Sequence, residues 1–133
     1  MKLQPHPVKA NLNLEGNGDY EISFSAWGPD YPDPITFLDM FITDSSYNKM
    51  SYSNKQYDEL IEKTRTNLED DVKARWKALE EAEKILLEED AAIAPTYQQR
   101  TAYLEKPKVK GIANHTFGQE FILINGHILQ NKK

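Results

Sequence analysis

Apolar and polar residues alternate almost from the start of the chain. Val8, Ala10, Leu12 and Leu14 fall on one side and Lys9, Asn11 and Asn13 on the other, the two-residue period of a half-buried strand. Glu15-Gly16-Asn17-Gly18-Asp19 reads as a turn, because glycine and asparagine accept positive φ cheaply. A second strand is predicted over Tyr20 to Ala26, with Ile22 and Phe24 among its apolar positions, so the two segments together predict a hairpin. The period then changes. Trp27-Gly28-Pro29-Asp30-Tyr31-Pro32-Asp33-Pro34 sets three prolines and a glycine within eight residues and must be a rigid, irregular loop. Asp33 fits an N-cap with Pro34 at the first helical position, and Phe37, Leu38 and Phe41 continue at helical spacing.

After a stretch rich in Ser, Asn and Tyr, Ser53-Asn54-Lys55-Gln56 matches a capping box, followed by Tyr57, Leu60, Ile61 and Leu68 on one face. Asp70 and Asp71 open the longest helix, whose apolar stripe is Val72, Trp76, Leu79, Ala82 and Leu86. That stripe, Trp76 included, reads as core. Ile93 to Leu104 is expected to be extended, with Pro95 near its start and Glu105-Lys106-Pro107 as a stop. Val109 to Ile112 and Phe121 to Leu129 form a final expected hairpin around the polar run Asn114 to Gln119. Strands, then helices, then strands predict a mixed α/β, or α+β, unit rather than alternating βαβ units.

Composition narrows the function classes. The chain has 133 residues, 16 Lys+Arg against 21 Asp+Glu, a net charge of −5 and no cysteine. A chain of this length can bury a core without crosslinks. The acidic balance, with no basic block, argues against a nucleic-acid partner, since phosphate binding relies on clustered Lys and Arg. Lack of cysteine removes disulfide frameworks, thiolate metal sites and thiol catalysis. No apolar run approaches the ~20 residues of a spanning helix. Met1-Lys2-Leu3-Gln4-Pro5 has no apolar targeting segment and reads as an interior start.

Candidate chemistry is sparse. His6, His115 and His127 are widely separated and lack metal-ligand spacing, so no metal site is expected. No nucleotide-binding glycine motif or nucleophile elbow occurs, and no cofactor is implied. Asp30 and Asp33 could be a hydrolase carboxylate pair, which needs about 5–9 Å between the groups and one raised pKa. The Trp27 to Pro34 loop is the exception to this blandness. It places a large aromatic, a glycine and an acid on a proline-framed scaffold, where a carboxylate suits a ligand ammonium group. An ordinary turn in which Asp30 caps a local N–H explains the same residues equally well.

The run Trp27-Gly28-Pro29-Asp30-Tyr31-Pro32-Asp33-Pro34, preceded by an expected hydrophobic strand, resembles the W-x-x-D-Y-x-x-P segment of the extracellular oligopeptide-binding proteins of ABC importers, the solute-binding proteins of family 5 type. The helix Asp71 to Glu89 and the following Glu89-Asp90-Ala91-Ala92-Ile93-Ala94-Pro95-Thr96-Tyr97 are similar to the family's helix, acidic turn and I-x-P-x-Y strand. The resemblance runs from about Leu3 to the end and implies a fragment of the C-terminal lobe of a two-lobe, periplasmic-binding-protein-like fold.

It implies that Asp30 pairs with the free α-amino group of a bound peptide, that Trp27 and Gly28 line the same pocket, and that Tyr97, near the hinge with Gln98, is a further ligand-binding residue. It further implies that residues 1–98 belong to the peptide-binding lobe and that 99–133 cross back to the first lobe. The expected partners are a peptide ligand and the membrane permease subunits of an importer, with a segment-swapped oligomer open to the isolated fragment. The expected location is extracytoplasmic, the parent being a cell-surface lipoprotein or periplasmic, and no catalysis is expected. The same scaffold could instead serve another solute, such as nickel or a sugar.

Overall fold

A computed structural model describes residues 3–68, 70–115 and 121–129. Its elements are α1 (Val8–Asn17), α2 (Ile35–Leu38) with a 3-10 turn over Asp39–Phe41, α3 (Lys55–Arg65), α4 (Val72–Lys84) running into a π turn over Ile85–Glu89, and four two-residue strands, β1 (Val109–Lys110), β2 (Ala113–Asn114), β3 (Phe121–Ile122) and β4 (His127–Ile128). The mixed character expected from the sequence is present. The chain divides into two compact units, one of Met1–Trp27 with Pro34–Ala94 and one of Gly28–Asp33 with Pro95–Lys133.

The first unit corrects the amino-terminal reading. Val8 to Leu14 is helical, and the Gly-Asn run expected to reverse a hairpin is instead a helix cap. Gly18 sits at φ 73°, its N–H donates to the Glu15 carbonyl at 3.2 Å, and the Asp19 N–H donates to the Leu14 carbonyl at 2.9 Å. These are the paired bonds of a Schellman motif, which a glycine completes without steric cost. Glu15 is buried, and its carboxylate accepts from Asn11 Nδ2 one turn earlier, at 2.8 Å, and from the Ser23 hydroxyl. Tyr20 to Ala26 is not a strand: Ile22 and Phe24 are exposed, and once its intended partner is a helix no neighbouring edge pairs with it among the described residues.

The helical expectations hold, with shifted caps. Pro34 itself occupies the N-cap of α2, and the Phe37 N–H donates to its carbonyl at 3.0 Å, so Asp33 is not the cap. Asn54 rather than Ser53 caps α3, its Oδ1 accepting from the N–H groups of Gln56 at 2.9 Å and Tyr57 at 3.2 Å. Asp71 caps α4 through the Ala74 N–H at 3.0 Å. The Asn54 and Asp71 side chains satisfy donors that the first helical turn cannot.

The core joins Ile35 and Leu38 of α2, Tyr57 and Ile61 of α3, Leu79 and Ala82 of α4, and Ile85 and Leu86 of the π turn. Tyr57 is fully buried and its hydroxyl donates to the Leu38 carbonyl at 2.5 Å. Burial pushes the Tyr57 phenol well above its ordinary pKa, so it stays a donor. The expected α4 stripe is displaced toward its carboxyl end. Trp76, 49 % exposed, and Val72 lie outside the core, whereas Ala78 and Ile85 enter it. The wider π turn, closed by the Asp90 N–H donating to the Ile85 carbonyl at 2.9 Å, lets both Ile85 and Leu86 bury.

Ala91 then takes φ 46°, and its neighbour Asp90 is tied back to the start of α3. Asp90 Oδ2 accepts from the Tyr52 hydroxyl at 2.6 Å and from Asn54 Nδ2 at 2.7 Å, across 38 and 36 residues of chain. Asn54 thus caps one helix with one end of its amide and holds the end of another with the other end.

In the second unit, residues 95–106 carry no regular element, so the extended reading of Ile93 to Leu104 yields no strand. The final hairpin is formed as nested antiparallel pairs: Val109 opposite Ile128 and Lys110 opposite His127, then Ala113 opposite Ile122 and Asn114 opposite Phe121. Gly111 at φ 77° is required, because a Cβ there would lie 2.0 Å from the Asn125 carbonyl oxygen. Residues 116–119 of the expected polar connection lie outside the described residues.

Two measurements test this fold. Tyr57→Phe leaves the buried Leu38 carbonyl without its donor and should destabilise the chain by about 1–3 kcal/mol in urea denaturation, with an unchanged slope. The second concerns acid. Hydrogen bonds from Tyr52 first, and Asn54 second, hold the Asp90 carboxyl below its ordinary value. A depressed folded-state pKa contributes stability above the unfolded value of about 3.9 and loses it as pH falls toward the folded one. The Tm advantage of the natural chain over Asp90→Asn is therefore expected to be full at pH 6 and to shrink below pH ~4; an advantage constant down to pH 2 would refute the linkage.

Candidate functional site

Proline at positions 29, 32 and 34 fixes φ at three of the eight residues of the Trp27 to Pro34 loop, and the Asp33 N–H closes a tight local turn on the Tyr31 carbonyl at 2.9 Å. Trp27 ends one side of this loop in the first unit and is 37 % exposed. Its ring meets that of Tyr47 edge-on, with centroids 5.0 Å apart and planes at 68°. That geometry is the favourable arrangement for two aromatic quadrupoles and holds the indole while leaving part of it open.

Gly28, Asp30 and Tyr97 fall in the second unit. Nothing lies within 4 Å of where a Gly28 Cβ would stand, so its backbone is open to approach. Asp30 is exposed, and among the described residues no hydrogen bond or ion pair engages its carboxylate. The local capping bond that would make Asp30 an ordinary turn residue is not formed. Tyr97 is exposed as well.

The other sequence candidates gather no chemistry. Among the described residues no group of His, Asp or Glu could hold a metal ion, and no helix is long and apolar enough to cross a membrane. A depression of about 210 Å³ lies beside α3, lined by Ile42, Thr43, Asp44, Asp58, Ile61, Glu62 and Arg65. Three of its polar side chains are already engaged. Asp58 accepts from the Thr43 N–H at 3.0 Å and from the Thr43 hydroxyl, and Arg65 donates to Asp39 at 2.8 Å. Sequence reasoning missed Tyr47, which sits in an aperiodic Ser-, Asn- and Tyr-rich stretch with no motif to mark it.

Comparison with known proteins decides the family. No protein-family model matches the chain. The dipeptide-binding protein DppE of Bacillus subtilis is 39 % identical over 99 residues, covering 74 % of this chain and 18 % of that protein. The crystal structure of the substrate-binding domain of an oligopeptide ABC transporter from Bacillus anthracis superposes with a TM-score of 0.84 at 43 % identity, over 96 % of this chain and 24 % of that one. Listeria monocytogenes OppA bound to peptide superposes with a TM-score of 0.79 at 44 % identity, over 98 % of this chain and 24 % of that one. The chain belongs with the oligopeptide-binding proteins of ABC importers.

It spans only about a fifth to a quarter of these oligopeptide-binding proteins, and corresponds to a portion of a two-lobe fold of mixed helix and strand. The loop carrying Trp27, Gly28 and Asp30 is thus part of an oligopeptide-binding-protein scaffold, in which matched relatives are binding proteins.

Proposed function

We propose that this chain is part of a solute-binding protein that captures oligopeptides by their free α-amino group and main chain and delivers them to the membrane permease subunits of an ABC importer. The observation that carries this reading is Asp30, an exposed carboxylate with no partner among the described residues, on a proline-framed loop three residues after a half-exposed tryptophan. An ammonium about 4 Å from a carboxylate gains ~1 kcal/mol in bulk water and ~4 kcal/mol at the effective dielectric of a partly buried site. By resemblance to the family Trp27 and Gly28 line the ligand pocket, and the open backbone at Gly28 suits hydrogen bonding to an extended peptide. Tyr97 adds a further aromatic contact. Reading main chain and amine, rather than side chains, gives tolerance of many sequences.

In this reading residues 1–98 contribute to the peptide-binding lobe and 99–133 cross back to the first lobe. The protein binds without catalysing a reaction and works outside the cytoplasm, as a cell-surface lipoprotein or in a periplasm.

The test uses the 133-residue chain and a tripeptide, followed by NMR titration. In a solvent-open site the amine contact is worth about 1 kcal/mol, so N-acetylation of the peptide should weaken binding about fivefold. Asp30→Ala should abolish that difference. In a complete, closed cleft the same substitution should cost about 2–5 kcal/mol, because it strands the ligand ammonium. Equal affinities for free-amine and acetylated peptides would remove the amine anchor.

A further inference from the structure

Asparagine is followed by glycine twice in the chain, at Asn17-Gly18 and at Asn125-Gly126. The backbone nitrogen of the following residue can attack an asparagine side-chain amide, and a glycine there puts no side chain in the way. The two pairs sit in different structures. Gly18 is the glycine of the Schellman cap, where its N–H and that of Asp19 close the end of α1 together. Glu15, one turn earlier, is buried and bonded to Asn11 and Ser23. Freeing the Gly18 nitrogen therefore unwinds a tethered helix end. Among the described residues no side chain donates to the Asn17 carbonyl.

Asn125 is exposed in the turn that joins β3 to β4. The Gly126 N–H makes a single turn bond, to the Leu123 carbonyl at 2.8 Å, and its release opens one turn only. The side-chain amide of Asn125 has no partner among the described residues, so its Cγ is free to swing toward the Gly126 nitrogen. The Asn125 carbonyl, in contrast, is held from two sides. His127 Nδ1 lies 3.0 Å from its oxygen, and because a carbonyl oxygen only accepts, that ring nitrogen carries the proton. The same oxygen rests against Gly111, where a Cβ would stand 2.0 Å from it.

The His127 contact bears directly on reactivity. The Asn125 carbonyl and the Gly126 nitrogen belong to one peptide unit, so the charge left when that nitrogen loses its proton spreads onto the oxygen that His127 touches. A donor fixed at that oxygen stabilises the attacking anion.

We propose that Asn125 is a self-modification site, converted through a succinimide to aspartyl and isoaspartyl residues ahead of Asn17, promoted by His127 and unseating the carbonyl cradled by Gly111. The Gly126 nitrogen gives its proton to solvent and bonds to Asn125 Cγ. The Cγ–Nδ2 bond breaks, and the amide nitrogen takes up a proton and leaves as ammonia. Water then opens the ring, with no change of oxidation state. Addition at Cγ restores the main chain with an acid at position 125. Addition at the backbone carbonyl carbon routes the main chain through Cβ, one methylene longer, and turns the cradled carbonyl into a free carboxylate. The Lys110–His127 pair beside it then loses its register.

The experiment incubates the native chain and the chain unfolded in urea in mildly alkaline buffer, and follows the exchange of amide for acid at both Asn-Gly pairs by peptide mapping and mass spectrometry. Unfolded, the two pairs should convert at comparable rates. In the native chain Asn125 should lead Asn17 by about tenfold or more, since only Asn17 needs a helix end to open. His127→Phe and His127→Val remove the donor and favour a strand, and should slow Asn125 about fivefold, the rate ratio that one exposed hydrogen bond supplies. Pairing is read from amide exchange at Leu129, whose N–H donates to the Lys108 carbonyl at 2.8 Å. The separated isoaspartyl form should lose that protection, and Asn125→Asp should keep it. Conversion of Asn17 first, or of neither pair in the native chain, overturns the site. An unchanged rate in a His127 variant that keeps its Leu129 protection, or a faster one in variants that lose it, overturns the promoting role. Full Leu129 protection in the isoaspartyl form overturns the effect on register.

Discussion

The hydroxyl of Tyr57 donating to the Leu38 carbonyl is the constraint on which the first unit is organised. α2 has four residues, too few to be helical on its own merits, because helix nucleation is unfavourable and only longer helices recover its cost. It persists because Ile35 and Leu38 are buried against α4 and the carbonyl of Leu38 is taken up by a phenol at the centre of the core. Pro34, its N-cap, is also the last residue of the Trp27 to Pro34 loop. A proline-framed loop can be rigid at its prolines and still have free ends. Here its carboxyl end is fixed to a buried anchor, and Trp27 at its amino end is held by Tyr47.

The junction of α3 and α4 repeats this economy with polar groups. Asn54 caps α3 and binds Asp90, and Asp90 also receives the Tyr52 hydroxyl, while the ring of Tyr52 stands edge-on to that of Tyr57 at 5.6 Å. Burial and the nearby Asp90 both raise the Tyr52 pKa, so that it remains a neutral donor to a carboxylate held ionised. The backbone of Tyr52 is in turn gripped by Asn48, whose loop carries Tyr47. A chain of contacts thus runs from the core through Tyr57, Tyr52 and Asn48 to the exposed aromatic pair, each link a hydrogen bond or ring contact between neighbours.

What was legible in the sequence was what local chemistry decides. Asp71 at the head of a long amphipathic run could only cap a helix, and the hairpin at the carboxyl end was visible from its apolar pairs. The first 26 residues misled because a two-residue period and a Gly-Asn run fit a hairpin as well as they fit a helix ending in a Schellman cap. The helix carries an Asn11 bond to Glu15 one turn along it and a Ser23 bond to the same carboxylate from beyond its end, neither visible in the alternation of apolar and polar residues. Trp76 followed the stripe yet lies outside the core, because the buried face of α4 is Ala78, Leu79 and Ala82 and continues into Ile85 and Leu86 of the π turn. For the proposed site, Asp30 and Trp27 could be singled out from the sequence because they sit in a motif. Tyr47 was not, because its role depends on a ring contact across twenty residues of chain.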